Sequence, residues 1–327
     1  MVLAKRMGRE EIKVTLFIVS LILTILAYFY IKTEFRFSVS VLYYYVVTRF
    51  HLVEYATQIF AWIDSFFYIL LLLPSILASC KVLRNILKKQ RVQSDTVINN
   101  LTSGTLLQLA FLLLFIVLML VLEFTLPLII LTPVKNQIDD FIHSTKQDIS
   151  NNHAEFIEKI VGYVNISLNS SWNKPQAVLE INNMLSRTDY AVLRWLDFDI
   201  AHVVFFQKWG SCGEYAIATT YLLNSLGFKV RIAHFTNIDH SWAEVRLNNS
   251  WYIVDPWYIG LRYDNHLLIP VEKLASLFVG NHTVIVTYLN GTQINASKEH
   301  GYKPTNITPN TLTSDLLFVV SGPYLKI

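Results

Sequence analysis

The sequence predicts an α+β domain carried behind an N-terminal, all-α membrane region of about three transmembrane helices. Three observations lead there. The chain has 327 residues, of which 53% are hydrophobic and only 16% charged, too apolar for an ordinary soluble protein of this size. The long apolar runs are confined to residues 1–131. Beyond them, short alternating strands and amphipathic helices return, spread over residues 132–327, ample for a single core.

The expected spans lie at about 14–31, 59–79 and 106–131. The first is uncharged between Lys13 and Lys32, long enough to cross a bilayer, and lacks a small-residue cleavage site, so an uncleaved anchor is expected. Lys5, Arg6, Arg9 and Lys13 precede it, and Lys81, Arg84, Lys88, Lys89 and Arg91 separate the second span from the third. Both groups read as cytoplasmic under the positive-inside rule. Residues 32–58, rich in Tyr and Phe, suit the outer interface. Three spans then make a multi-pass protein of the cell membrane with residues 132–327 outside.

Sequons at Asn165, Asn169, Asn248, Asn281, Asn290, Asn295 and Asn306 agree with external exposure and glycosylation, although Asn100 makes one on the expected inner side. The net charge of +3 is small, and its basic residues flank apolar runs, so no nucleic-acid partner is expected; the bilayer is the partner implied. Cys80 and Cys212 are the only cysteines, which excludes a disulfide scaffold. Glu123, deep in the third run, calls for a partner on another helix or a second chain, because an ionised carboxylate near the bilayer centre costs about 2.5–3.5 kcal/mol. Pro133 is expected to close that span. The apolar positions Ile138, Phe141, Ile142, Phe156, Ile157, Ile160 and Val161 then suit helices covering a core.

The chemistry concentrates in residues 209–257. Ser211-Cys212-Gly213-Glu214 is a capping-box pattern, followed by an apolar stripe (Ala216, Thr219, Leu222, Leu223, Leu226) and a stop at Gly227. Cys212 therefore falls at the first helical position, where the positive end of the helix dipole favours thiolate over thiol. Residues 228–235, 240–247 and 251–254 alternate as strands. If Asn248-Asn249 forms a two-residue hairpin turn, Leu247 pairs with Ser250 and Trp242 with Asp255. His240 and Asp255 then share one face of the sheet as a diagonal pair. A cysteine, a histidine and an aspartate so arranged make a thiol nucleophile, its base and the group that orients the base. His234 reads as a core or site-wall histidine; zinc among these residues would block the nucleophile, and no metal or cofactor is expected. Residues 284–295 read as a further hairpin turning at Asn290-Gly291.

The segments GSCGEYA, LLNSLGFKVR, HSWAEV and WYIVDPW together resemble the core of the transglutaminase-like superfamily of papain-type cysteine enzymes. CGE and DHSWAEV are also similar to the peptide N-glycanase branch, although the zinc-binding CxxC pair of many of its members is missing. The resemblance implies a helix bearing the cysteine packed on an antiparallel sheet. It implies Cys212 as nucleophile, His240 as base and acid, and Asp255 as the group fixing the imidazole. The reaction implied is acyl transfer from an amide through a thioester. The Cys212 N–H is one oxyanion donor; Gln207 or Trp209 could supply a second, and Trp242 could wall the cleft. Peptide, protein or glycopeptide amides at the cell surface are the expected substrates, with hydrolysis ranked above crosslinking. The alternative is a catalytically silent surface module of the same fold.

Overall fold

The computed structural model describes residues 33–50, 95–147, 153–170, 185–257 and 268–303, with scattered positions between 15 and 69. Two compact units divide at Leu126 and Pro127.

In the first unit, helix α1 (Phe37–Arg49) lies within the stretch expected at the outer interface. Its start is organised by Glu123, which is fully buried. Glu123 Oε1 accepts the Phe37 backbone N–H at 3.2 Å, and Oε2 accepts the Ser38 N–H at 3.3 Å and the Ser38 hydroxyl at 2.9 Å. The first N–H groups of a helix lack intrahelical acceptors, so the carboxylate and α1 each supply what the other is missing. The partner that Glu123 requires lies on another helix of this chain.

Helix α2 (Asp95–Gln147) contains both Pro127 and Pro133. The helix runs on past Pro133, the residue expected to close the membrane span. Each proline removes one backbone hydrogen bond, a loss that a long helix tolerates where its other bonds persist. The Thr132 hydroxyl, next to Pro133, donates to the Leu128 carbonyl at 2.6 Å. Within α2, Leu113–Gln147 is long and apolar enough to cross a membrane, the one such helix among the described residues. The expected span at 59–79 lies largely outside the described residues, and 14–31 is described only at scattered positions.

The second unit is α+β. Beyond Pro127, α2 contributes buried Ile138 and Ile142, and Phe141 stacks on Tyr163 at 3.9 Å between ring centroids. Helix α3 (His153–Ser167) buries Phe156, Ile157, Ile160, Val161 and Val164, the stripe its spacing predicts. Helices α4 (Arg187–Trp195) and α5 (Ile200–Gln207) each start on a side-chain cap, Ser186 and Asp199. Helix α6 (Cys212–Ser225) follows the short strand β2 (Trp209–Gly210), which pairs in parallel with β1 (Asn169–Ser170).

The main sheet has six antiparallel strands in the order β6-β5-β4-β3-β7-β8. These are β3 (Lys229–Phe235), β4 (Ser241–Leu247), β5 (Ser250–Val254), β6 (Ile269–Pro270), β7 (Val284–Tyr288) and β8 (Gln293–Asn295). The β4–β5 register is the expected one, with Leu247 opposite Ser250 and Ala243 opposite Val254. Asn248 and Asn249 have φ of 48° and 67°, as a type I′ turn requires at both central residues. The expected hairpin at Asn290-Gly291 is β7–β8, and it extends the sheet beyond β3. Residues 270–278 hold a strand end, a 3₁₀ turn (Val271–Lys273) and a single turn α7 (Leu274–Leu277). One face of the sheet closes on an apolar core that includes Ala233, Phe235, Trp242, Ile253, Leu274, Val284 and Tyr302.

Candidate active site

The nucleophile segment is built by close approach. A Cβ at Gly210 would come within 2.5 Å of Glu214 Cβ, so only glycine lets β2 enter α6 at this angle. The Glu214 carboxylate turns back to accept the Ser211 backbone N–H at 2.9 Å and the Ser211 hydroxyl at 2.7 Å. Ser211 is the N-cap and Cys212 the first helical residue, as expected. Tyr215 ties this first turn to the end of α3 by donating its hydroxyl to the Leu168 carbonyl at 2.8 Å.

Cys212 is 5% exposed, and its sulfur makes a long hydrogen bond to the Asp239 carbonyl at 3.9 Å. Burial pushes the thiol up to about 12. A backbone hydrogen bond from Ser241 pulls it down, while the charges of Asp239, Glu214 and Asp255 add to the rise. The thiolate expected from the helix dipole is therefore not the resting form. The dipole is worth about 0.3–1 kcal/mol, and up to about 2 in partly buried geometries, whereas burying an uncompensated anion costs several times more.

Asp239 and Ser241 flank His240, so the sulfur rests against the main chain on both sides of the imidazole. His240 Nε2 lies 2.8 Å from Asp255 Oδ2. Asp255 Oδ1 accepts the Trp257 N–H at 3.1 Å, which orients the carboxylate. All three groups are buried. His240 immediately precedes β4 and Asp255 immediately follows β5, and the register of these strands brings the two into direct contact.

Aromatic rings surround the imidazole. Trp242, Trp257 and Phe278 have centroids 5.5, 5.9 and 5.7 Å from it, each within about 31° of parallel. Phe278, beyond α7, carries no sequence signal that would assign it to the site. Trp242 is 1% exposed, a buried wall, and its indole N–H donates to Glu244 Oε1 at 2.8 Å. Gln207 is fully buried and its amide donates to the Trp209 carbonyl at 2.8 Å, so the two candidate oxyanion groups are bonded to each other. His234 is buried on β3 with neither ring nitrogen hydrogen-bonded, and burial lowers its pKa to about 4. It is a neutral interior histidine. No group of three or more His, Cys, Asp or Glu side chains among the described residues could hold a metal ion.

Residues 160–256 match the family model described as the transglutaminase-like superfamily, a segment that includes Cys212, His240 and Asp255. No curated protein matches the chain.

Proposed function

From the premise that residues 160–256 form a domain of the transglutaminase-like superfamily, we propose that the protein is a membrane-anchored cysteine enzyme acting on amide bonds. The observation that carries this reading is the 2.8 Å His240–Asp255 contact beside a cysteine at the head of a buried helix. Superfamily membership supports a cysteine-based enzyme fold. The assignment of Cys212 as nucleophile, His240 as base and Asp255 as orienter is ours.

In the reaction we infer, Cys212 Sγ forms a bond to the substrate carbonyl carbon as its proton passes to His240 Nδ1. Nε2 is committed to Asp255, which fixes the tautomer. The first-turn N–H groups of α6, the Cys212 N–H among them, receive the oxyanion. The C–N bond breaks as His240 returns the proton to the leaving amine. Water, deprotonated by His240, then bonds to the thioester carbonyl carbon, and the C–S bond breaks as His240 returns that proton to the sulfur, releasing the carboxylic acid and restoring the thiol. A thiol held near 12 makes proton transfer part of the attack rather than a step before it. Hydrolysis is preferred to crosslinking because no acceptor-amine site is recognisable, and peptide, protein or glycopeptide amides are the substrates proposed. Multi-pass anchoring with residues 132–327 outside the cell belongs to the same proposal. It is supported by the apolar segment Leu113–Gln147 and by the basic residues flanking the apolar runs.

The buried, neutral thiol is the one observation that favours a silent module of the same fold. The full chain in detergent micelles, treated with p-nitrophenyl acetate, separates the two readings. We expect a stoichiometric burst of nitrophenolate that is absent in Cys212→Ala and slowed roughly a hundredfold in His240→Ala. In His240→Ala the remaining rate should climb with pH through the alkaline range, since hydroxide must then remove the thiol proton. A wild type that gives no burst beyond that of Cys212→Ala sinks the enzyme reading. Protease added to intact cells should remove the domain beyond residue 132; its protection would reverse the orientation.

A further inference from the structure

Behind the imidazole, on the core side of the sheet, four side chains form a closed polar cluster. Glu244 is fully buried. Its Oε2 accepts from Arg231 Nε at 2.6 Å; its Oε1 accepts from His300 Nε2 at 2.6 Å and from the Trp242 indole at 2.8 Å. The other nitrogen of His300 lies 2.8 Å from the Ala296 carbonyl. Both His300 nitrogens thus face acceptors that can only receive a proton, which requires the imidazolium. Arg231 continues outward to Glu299 at 3.0 Å and to the Tyr288 hydroxyl at 3.2 Å, with its guanidinium 4.1 Å over the Trp251 ring. Two cations and two carboxylates balance.

Apolar residues of similar volume would fill this space at least as stably as a buried ion cluster, so its stability alone does not account for it. Its geometry offers a use. The Asp255 contact fixes one atom of His240 and leaves the plane of the ring to its neighbours. Trp242 is one of those neighbours, and the indole is itself pinned by Glu244. Resting on the reading of His240 as the base, we propose that Glu244 and His300 are positioning residues for it, acting through the indole of Trp242. The segment around His300, remote in sequence, thereby sets the angle at which Nδ1 meets the sulfur. Titratable and charged groups facing His300 are Glu244 from β4 and Arg231 from β3, with Tyr288 of β7 and Glu299 beyond the guanidinium.

One probe is Trp242→Phe, which keeps a ring beside the imidazole but removes the N–H with part of the indole's volume, leaving Glu244 to its two cations. In the full chain in micelles, the p-nitrophenyl acetate burst of the folded protein should slow about fivefold, the loss of one hydrogen bond's worth of alignment, while the cavity lowers the thermal midpoint. His300→Gln retains a neutral donor to Glu244. It should abolish the alkaline loss of burst rate that accompanies deprotonation of His300 in the wild type. A purely structural role would lower the thermal midpoint and leave the rate and pH profile of the folded protein unchanged; that result overturns the proposal. Histidine ¹³C NMR gives a readout independent of catalysis, with the His240 signal identified by its absence in His240→Ala. Its shift should change in His300→Gln, which leaves every ring around His240 in place, and an unchanged signal overturns the positioning role whether or not the burst occurs. A wild type without a burst, but with a shifted His240 signal in His300→Gln, would instead remove the enzyme reading and keep the positioning role.

Discussion

Glu123 and Glu244 are both fully buried carboxylates, one in each unit, and their surroundings differ in kind. Glu123 is held by the backbone N–H groups and hydroxyl at the start of α1. Glu244 is held by a guanidinium, an imidazolium and an indole. Glu123 ties the start of α1 to α2 through main-chain donors. A carboxylate bound by cations makes its neighbours depend on its charge, and one of those neighbours walls the candidate base. The difference separates a local structural tie from a device that can communicate with a reactive group.

The largest expected effect comes from breaking the second arrangement. Glu244→Leu strands Arg231 and His300 as buried charges and should cost about 3–5 kcal/mol, read by chemical denaturation of the second unit. Glu123→Leu leaves the first N–H groups of α1 without this acceptor and should cost about 1–3 kcal/mol, read in the first unit. If Glu123→Leu proved the more damaging, the two cations around Glu244 would not be its dominant support.

The pH dependence sharpens the contrast. Burial opposes the charge of His300, but the Glu244 carboxylate outweighs it and holds the imidazolium above its ordinary range. Its contribution to stability is complete below the unfolded value near 6.5 and is lost as pH rises through the folded value. Glu244 is likewise opposed by burial, yet His300 and Arg231 draw it below the usual carboxylate range. Its contribution is present above that range and lost as pH falls through the folded value. Thermal unfolding scanned against pH should therefore show an alkaline decline that is absent in His300→Gln. On the acid side, His234 is kept neutral by burial down to about 4, so stability should fall as pH drops below about 6.5. His234→Leu should shrink that loss.

The smallest effect is a control. Asn249→Ala at φ 67° replaces a short polar side chain that tolerates the left-handed region with one that does not, at a cost below the about 1–2 kcal/mol of that region itself. It should lower the unfolding midpoint slightly without altering the His240 NMR signal, because no buried charge is involved.

What was legible in the sequence was local. The turn at Asn248-Asn249 dictates the register of β4 and β5, and that register carries Asp255 to His240. The cap at Ser211 places Cys212 at the first helical residue for the same reason. Features that depend on distant parts of the chain were not legible. The helix dipole at Cys212 is a local term, whereas the burial that overrides it is supplied by the whole domain. Phe278 and His300 approach the site from a segment whose sequence gives no sign of chemistry. Arg246 is nearer to Glu244 in the sequence than Arg231, yet the antiparallel pairing of β3 with β4 sets Arg231 opposite Glu244. Proline alone does not decide a helix end, since this helix continues through Pro127 and Pro133 to Gln147.

Gly210 has a last consequence. Because its hydrogen atom lies where a methyl group would strike Glu214, any replacement must push the opening turn of α6 outward and carry the sulfur with it. How far the thiol stands from the imidazole is thus governed partly by a carbon that glycine does not possess.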